Sequence, residues 1–179
     1  MASTEQLTES WTAAGGYAAD ASDEGDLAAA RRALLFAVAG RLYGCEIETV
    51  REIMPVRRCT RLPGAPPFVR GLINLRGTVV TVVDLALRLG VGRGAAEDGS
   101  IVVVDLGSRV AGLAVDEVRD VVQLRPEEMG AVAESADASA LGGAAAAGAL
   151  PGAVRGHTRV GESAVVLLDV QTIVRQVLI

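Results

Sequence analysis

The chain has 179 residues, of which 50% are hydrophobic, and a formal net charge of −5. This length suits one domain of ordinary size with a tail. No apolar run approaches the ~18 residues that a membrane-spanning helix needs. The first apolar segment begins near Ala33, behind acidic residues, so we expect no signal peptide. We therefore expect a cytoplasmic protein without direct membrane insertion, whose two cysteines stay reduced.

Residues 1–30 are distinct in composition. They contain six of the 22 acidic residues and none of the 17 basic residues, so residues 31–179 carry a net charge of about +1. Ala, Ser, Thr and Gly fill the rest of this segment, which offers too little apolar surface to offset the entropy of ordering. The sequence thus predicts a disordered acidic tail before a nearly neutral domain. A neutral domain does not attract nucleic acid non-specifically.

From Ala33 onward, short apolar segments rich in β-branched residues indicate strands. ALLFAVAGRLYGCEI predicts two strands joined around Gly40, and VRGLINL and TVVTVVD predict two more joined around Arg76. The segment ETVREIMPV fits either a helical turn or a strand, and Pro55 ends it. LALRLG is typical of a short helix that ends at Gly90. The chain is therefore mainly β.

The chain repeats itself after this helix. IVVVDLGSRVAGLAVDEVRDVV resembles LLFAVAGRLYGCEIETVREIM at an offset of 68 positions, and VRGHTRVGESAVVLLDV resembles VRGLINLRGTVVTVVDL at an offset of 85. We predict one domain over 31–179, with a first β-module at about 34–90, a second at about 100–179, and a low-complexity loop at 131–150. Each module has roughly five strands and a short helix after them. Such small units need a shared core, and closing them into barrels removes exposed sheet edges.

The sequence offers no catalytic constellation. Its single histidine, His157, aligns with Leu72 of the other copy, which favours a packed or surface position over a catalytic base. No His, Cys or carboxylate cluster has metal-ligand spacing, and no phosphate-binding or nucleophile motif occurs. Cys45 lies in an apolar strand and is predicted to be an inert core thiol. We predict no enzymatic activity, no metal and no cofactor.

Asp84 and Asp169 occupy matching positions in the two copies. Each follows a predicted strand and precedes a helical pattern, where a helix N-cap belongs. A shared structural role explains both better than a paired catalytic role does. On this interpretation Asp84→Ala costs stability on the order of 1 kcal/mol.

One local charge bias remains. Residues 51–77 contain six arginines and a single acid, Glu52. The bias fits a solvated face or a docking surface for an acidic partner. A nucleic acid fits poorly, because Phe68 is the only aromatic residue in this stretch that could stack on a base. Arg76 aligns with Gly161 of the second copy, so the turn itself does not require an arginine. We interpret Arg76 as a contact to a partner.

GLINLRGTVVTVVDL, preceded by LPGAPPFVR, resembles the CheW family, as does LLFAVAGRLYGCEIETVREI. The resemblance extends from about Leu34 to Val177. It implies two small SH3-like five-stranded β-barrels packed around a shared core. It also implies a non-enzymatic adaptor of bacterial two-component signal transduction, which couples chemoreceptors to a CheA-type histidine kinase. Such a protein would be recruited to membrane-associated receptor arrays.

The resemblance also implies site residues and partners. A groove between the barrels would receive the helical cytoplasmic tip of a chemoreceptor, through Val50, Glu52, Gly71 and Arg76. Gly112 and Val118 would support this groove or an interface with the regulatory domain of the kinase. Two alternatives remain: the same adaptor role in a non-flagellar circuit such as gliding, pili or gene regulation, and a small-ligand-binding β-barrel protein. The sequence does not name the receptor, the stimulus or the output.

Overall fold

The computed structural model describes residues 31–107, 109–125, 130, 150–175 and 177. The predicted acidic tail and nearly all of the predicted low-complexity loop lie outside the described residues. Within them the chain forms ten strands, one 3-10 turn and two short helices. The strands are β1 Arg31–Val38, β2 Arg41–Glu46, β3 Val50–Pro55, β4 Val69–Leu75, β5 Thr78–Asp84, β6 Ser100–Asp105, β7 Val110–Val115, β8 Glu117–Leu124, β9 Val154–Val160 and β10 Ser163–Leu168. The 3-10 turn is Ile47–Thr49, and the helices are α1 Leu85–Leu89 and α2 Val170–Arg175.

The strands form two five-stranded sheets. The first sheet has the order β8-β1-β2-β10-β9, and the second sheet has the order β3-β6-β7-β5-β4. Neighbouring strands are antiparallel except β2 with β10 and β5 with β7, which are parallel. The segment that fitted either a helical turn or a strand contains both, since the 3-10 turn leads directly into β3. The prediction of a mainly β fold with two five-stranded units is confirmed.

The two sheets are related strand by strand through the sequence repeat. Strands of the first copy correspond to strands of the second in the pairs β1 and β6, β2 and β7, β3 and β8, β4 and β9, and β5 and β10. When each strand is replaced by its equivalent, the strand order of one sheet becomes the strand order of the other. Gly44 pairs with Leu35 in the first sheet, and Gly112 pairs with Val103 in the second. These pairs stand 68 positions apart, as the repeat requires.

The modules predicted at 34–90 and 100–179 do not correspond to the two sheets. Each sheet combines two strands of one copy with three strands of the other. A repeat shows which segments are equivalent, but equivalent segments can exchange places without changing any local pattern. The sequence therefore could not decide which copies pair, and the predicted module ranges stay a description of the sequence repeat.

Buried side chains form one shared core and two smaller cores. The largest cluster contains residues of both sheets and both helices, including Phe36, Tyr43, Leu85, Leu113 and Ile173. A second cluster lies within the second sheet, and a third lies within the first. Full burial of each large apolar side chain contributes about 1.5–3 kcal/mol. The shared core therefore joins the two units into one folding domain, as units of this size require.

Each barrel is closed beyond its last strand by an isolated β-bridge. In the second sheet, Thr60 pairs with Leu72 of β4 through two hydrogen bonds of 2.8 Å. In the first sheet, Gly130 pairs with His157 of β9 in the equivalent place. These bridges cover the backbone of an edge strand, which would otherwise remain open to pairing with another chain.

The two copies also interlock through their helices. The guanidinium of Arg88, at the end of α1, lies 4.3 Å from the centroid of the Phe68 ring. Its Nε donates a 3.2 Å hydrogen bond to the carbonyl of Ile173 in α2. Burial lowers the pKa of Arg88 from its ordinary value. Stacking on Phe68 and the hydrogen bond to Ile173 offset the desolvation cost of the partly buried guanidinium.

Candidate protein-binding site

Arg76 and Gly77 form the two-residue turn between β4 and β5. Both have positive φ, 51° for Arg76 and 88° for Gly77, which is the requirement of a type I′ hairpin turn. The side-chain oxygen of Asn74 accepts a 2.8 Å hydrogen bond from the Gly77 amide and holds the turn. Left-handed backbone disfavours arginine by roughly 1–2 kcal/mol. A strained arginine where glycine or asparagine would be relaxed motivates a functional hypothesis.

The equivalent turn of the second copy is built differently. There Gly161 has a φ of 60°, and among the described residues Glu162 is not one of those with positive φ. One glycine alone therefore supplies the left-handed position that this turn needs. The comparison supports the inference from sequence that the hairpin does not depend on an arginine.

Glu52 and Arg76 lie together at the surface of the second barrel. Their carboxylate and guanidinium are 3.2 Å apart, and the side chains are 23% and 84% exposed. A β-bulge between Val50 and Glu52 places Glu52 opposite Val103, a residue of the core of the second barrel. So exposed an ion pair contributes at most about 1 kcal/mol to stability. The arginine retains most of its accessible surface for another contact.

Gly71 has a structural requirement of its own. It lies in β4 next to a bulge, with a φ of 138°, and is buried. A Cβ at this position would collide with the carbonyl group of Thr60, whose segment closes the barrel. Only glycine permits this approach of two backbones. Gly71 is therefore fixed by the packing of the Thr60 segment, and its role in a receptor groove stays a prediction.

The remaining predicted site residues lie further into the fold. Val50 and Val118 are partly buried and pack against the shared core at equivalent positions of the repeat. Gly112 lies in β7, where a Cβ would come within 2.8 Å of Ile101 Cγ2 in the interior of the second barrel. The structure thus brings Glu52 and Arg76 into contact, with Val50 on the same strand as Glu52, and places Gly112 in a core.

Two exposed apolar residues of the second barrel were missed by sequence reasoning. Ile53 follows Glu52 in β3 and is 45% exposed, and Val79 of β5 is 64% exposed. Single exposed apolar residues are ordinary on protein surfaces. Ile53 directly follows Glu52 in a strand, so the two side chains point to opposite faces, whereas Val79 follows the Arg76–Gly77 turn at the start of β5. The continuous apolar pattern of TVVTVVD could not reveal that Val79 faces solvent. An alternating pattern would have been the only usable signal.

Asp84 and Asp169 begin the two helices. Asp84 Oδ1 accepts a 3.1 Å hydrogen bond from the amide of Leu87, and Asp169 Oδ1 accepts a 2.9 Å bond from that of Thr172. Asp84 Oδ2 also accepts a 2.8 Å bond from the amide of Ala95, and Asp84 is only 3% exposed. Asp84 therefore fixes the loop after α1 as well as the helix itself.

The two thiols differ in environment. Burial, with a smaller contribution from the charge of Glu46, raises the pKa of Cys45 to about 12. Burial also raises the pKa of Cys59, although the positive charge of Arg70 opposes it, and this residue is only partly buried. Within the described part of the chain, no group of three or more His, Cys, Asp or Glu residues is arranged to hold a metal ion.

The thiol environments predict selective alkylation. With iodoacetamide at pH 8, Cys59 in the folded protein should react at least about ten times faster than Cys45, because only the thiolate is nucleophilic and Cys45 is both protonated and covered. Peptide mass spectrometry measures the two rates. In urea the two cysteines should react alike, and equal rates in the folded protein would contradict the burial of Cys45.

The described residues include no helix long and apolar enough to cross a membrane. The fold and its surfaces define a small double-barrel domain in which equivalent sheets share one core and a strained, charged turn faces solvent. The CheW-like domain family model matches residues 32–178. The chain belongs to this family, so the resemblance noted in the sequence is confirmed.

Individual relatives agree with this assignment. The chain is 35% identical over 97 residues to the chemotaxis protein CheW of Klebsiella aerogenes, covering 54% of this chain and 58% of that protein. It is 38% identical over 102 residues to the chemotaxis protein CheW of Rhizobium meliloti, covering 55% and 64%. The alignments thus span about three fifths of these two relatives. Protein PilI of Pseudomonas aeruginosa is 33% identical over 84 residues, covering 46% and 47%.

A solved structure shows the same fold. The crystal structure of the scaffolding protein TtCheW from Thermoanaerobacter tengcongensis superposes with a TM-score of 0.68 at 26% sequence identity. The match covers 80% of this chain and 92% of that one.

Proposed function

We propose that the protein is a non-enzymatic adaptor that couples chemoreceptors to a CheA-type histidine kinase in bacterial chemotaxis. The family match over residues 32–178 carries this proposal, because it spans the double-barrel domain. The similarity to the structure of a protein described as a scaffolding protein supports it. The adaptor would act by binding alone. It would work in the cytoplasm, at membrane-associated receptor arrays.

The receptor contact is proposed at the surface around the β4–β5 turn. A helical receptor tip would pack in the groove formed with Val50, Glu52, Gly71 and Arg76, in the manner of a helix in an apolar groove. Apolar contacts would supply most of the affinity, and the exposed apolar side chain of Val79 supports this. Arg76 and Glu52 would orient the helix, since charged groups at an interface rim give specificity more than affinity.

The kinase contact is proposed at a separate surface. The regulatory domain of the kinase would bind there, and Gly112 and Val118 would support either this surface or the receptor groove indirectly. Val118 packs on the shared core and Gly112 occupies a barrel interior, so substitutions at either would act by moving strands β7 and β8.

The sharpest test replaces Arg76 by asparagine. Asn-Gly is the preferred type I′ turn sequence, so Arg76→Asn should leave the free energy of unfolding unchanged or raise it by up to about 1 kcal/mol, after loss of the weak Glu52 pair. Binding to a purified cytoplasmic receptor fragment from the same organism should nevertheless weaken about tenfold, the effect of losing one moderate interface contact. Urea denaturation and titration calorimetry measure the two quantities.

A matched control comes from the second copy. Arg159→Asn removes the same charge from an exposed position in β9 and should leave receptor binding within about twofold. Arg76→Asn that binds as well as the unmodified protein would refute the assignment of Arg76 while leaving the adaptor function intact. Failure of the unmodified protein to bind either receptor fragment or kinase would refute the adaptor function itself.

A second candidate is the same adaptor role in a non-flagellar circuit that controls pili, gliding or gene expression. The similarity to a relative named Protein PilI favours keeping it. The two candidates differ only in the partners. Binding assays with receptors and kinases from each chemosensory system of the organism would separate them by relative affinity.

A further inference from the structure

A cavity of about 420 Å³ lies beside α1, away from the Arg76 turn. Its walls come from the connector between β3 and β4, the start of β4, helix α1 and the loop that follows it. The apolar part of the lining is Leu62, Ala65, Pro66, Pro67, Val69, Leu87 and Ala95. A cavity of this size accommodates one or two side chains or a small ligand.

Three arginines, Arg61, Arg70 and Arg93, line the same cavity. Nη1 of Arg70 is buried and has no hydrogen-bond partner. Among the ion pairs of the described residues, none involves any of the three. Asp84 also lines the cavity, but its two carboxylate oxygens already accept hydrogen bonds from backbone amides. The cavity therefore has an excess of positive charge in its walls, and one of the arginines in its lining keeps a donor without a partner.

This chemistry selects a carboxylate. A buried donor without an acceptor is destabilising, and a carboxylate is the planar acceptor that matches a guanidinium. The walls of proline, valine and leucine suit the apolar stem that carries an acidic group. Arg61 belongs to the arginine-rich stretch 51–77, whose charge bias the receptor contact does not explain.

A carboxylate-rich segment is part of the chain itself. Residues 1–30 hold six acidic side chains and no basic one. These acids precede Arg31 by 5 to 26 positions, and 26 extended residues reach roughly 90 Å, farther than the roughly 40 Å diameter expected of a domain of this length. Covalent attachment gives such a segment an effective concentration on the order of millimolar.

We propose that the arginine-lined cavity is a carboxylate-binding site, and that acidic side chains of residues 1–30 of the same chain occupy it. The segment binds through charge and hydrogen bonds to the three guanidinium groups, with the half-buried Arg70, whose Nη1 lacks a partner, as the main contact. Several acids lie within reach of the cavity, so different carboxylates of the segment occupy the one site in turn. Occupation is weakened by salt, since it depends on charge.

The test uses the full chain with all six acids of residues 1–30 replaced by their amides. Amide and arginine Nε signals in ¹H–¹⁵N spectra should move at Arg70, Gly94 and Ala95 relative to the unmodified protein. A synthetic peptide of residues 1–30 added to this variant should reverse the change with saturation. The same peptide with amides in place of acids should have no effect.

Charge variants locate the site. In the variant whose six acids of residues 1–30 are replaced by amides (the amide-tail protein), Arg70→Gln should weaken binding of the acidic peptide at least tenfold. Arg61→Gln or Arg93→Gln should weaken it by smaller factors. Arg58→Gln is the matched control, because Arg58 is exposed in the same arginine-rich stretch but does not line the cavity. It should change the affinity less than twofold. Unchanged melting temperatures establish that each variant is folded.

Three results would overturn the proposal. Identical cavity signals in the acidic and amide-tail proteins would show that the tail does not occupy the site. Equal losses for Arg70→Gln and Arg58→Gln would show diffuse attraction without a defined site. Saturable binding of inorganic phosphate or glutarate, without any effect of the tail, would show a site for free anions.

Discussion

Replacement of Gly71 by alanine should destabilise the protein by about 3 kcal/mol and lower its melting temperature by roughly 10 °C. Two effects combine. The φ of 138° is a conformation that L-residues rarely adopt, at a cost of about 1–3 kcal/mol. The new Cβ also meets the backbone carbonyl of Thr60, which must move, and overpacking of this kind costs about 1–3 kcal/mol. Alanine also lowers the entropy of the unfolded chain, which stabilises the folded protein by less than about 1 kcal/mol.

Two other glycines separate these effects. Gly64 has a φ of 75° with open space around its Cβ position, so Gly64→Ala tests the backbone conformation alone. Gly156, the repeat equivalent of Gly71, has no positive φ, but a Cβ would come within 2.8 Å of the carbonyl oxygen of Gly130. Each should cost about 1–2 kcal/mol in urea denaturation. A Gly71→Ala variant no less stable than Gly64→Ala would refute the close approach of Thr60.

The Gly71 result also bears on the receptor site. A Gly71 variant that loses receptor binding has lost the position of the Thr60 segment as well as any direct contact. Arg76→Asn leaves the barrel intact and is the cleaner measure of the binding surface.

Asp84→Ala should destabilise the protein by about 3 kcal/mol, more than the value on the order of 1 kcal/mol expected for a simple N-cap. The additional loss comes from Ala95, whose amide would lose its acceptor together with that of Leu87 in a nearly buried site. Each unsatisfied donor costs about 1–3 kcal/mol. Urea denaturation gives the total, and hydrogen exchange of the Ala95 amide should accelerate.

Asp169 provides the matched control in the other copy. Its side chain caps α2 through the Thr172 amide, and its other oxygen lies 3.4 Å from Nε of Arg155 in a partly exposed ion pair. Asp169→Ala should therefore cost about 1 kcal/mol. Equal losses for the two variants would show that the Asp84–Ala95 bond contributes nothing to stability.

The sequence by itself determined most of the local structure. Apolar β-branched runs located the strands, because a pleated half-buried surface selects these residues. The offsets of 68 and 85 identified equivalent strands, and the structure repeats them even in pairs such as Gly44 with Leu35 and Gly112 with Val103. Asp84 was identifiable as a capping position because a cap is a local hydrogen bond within one turn.

Only the tertiary structure decided how these segments combine. Each sheet contains strands from both copies. Because the two copies have similar sequences, the sequence does not indicate which strands pair in which sheet. Glu52 and Arg76 meet because the second barrel closes, and Gly71 is constrained by Thr60 of a segment outside its own hairpin. The covered Nη1 of Arg70 and the cavity beside it likewise depend on segments that are distant in the chain. Strands and caps depend on near neighbours in the chain, whereas pairing, burial and cavities depend on distant segments that only folding brings together.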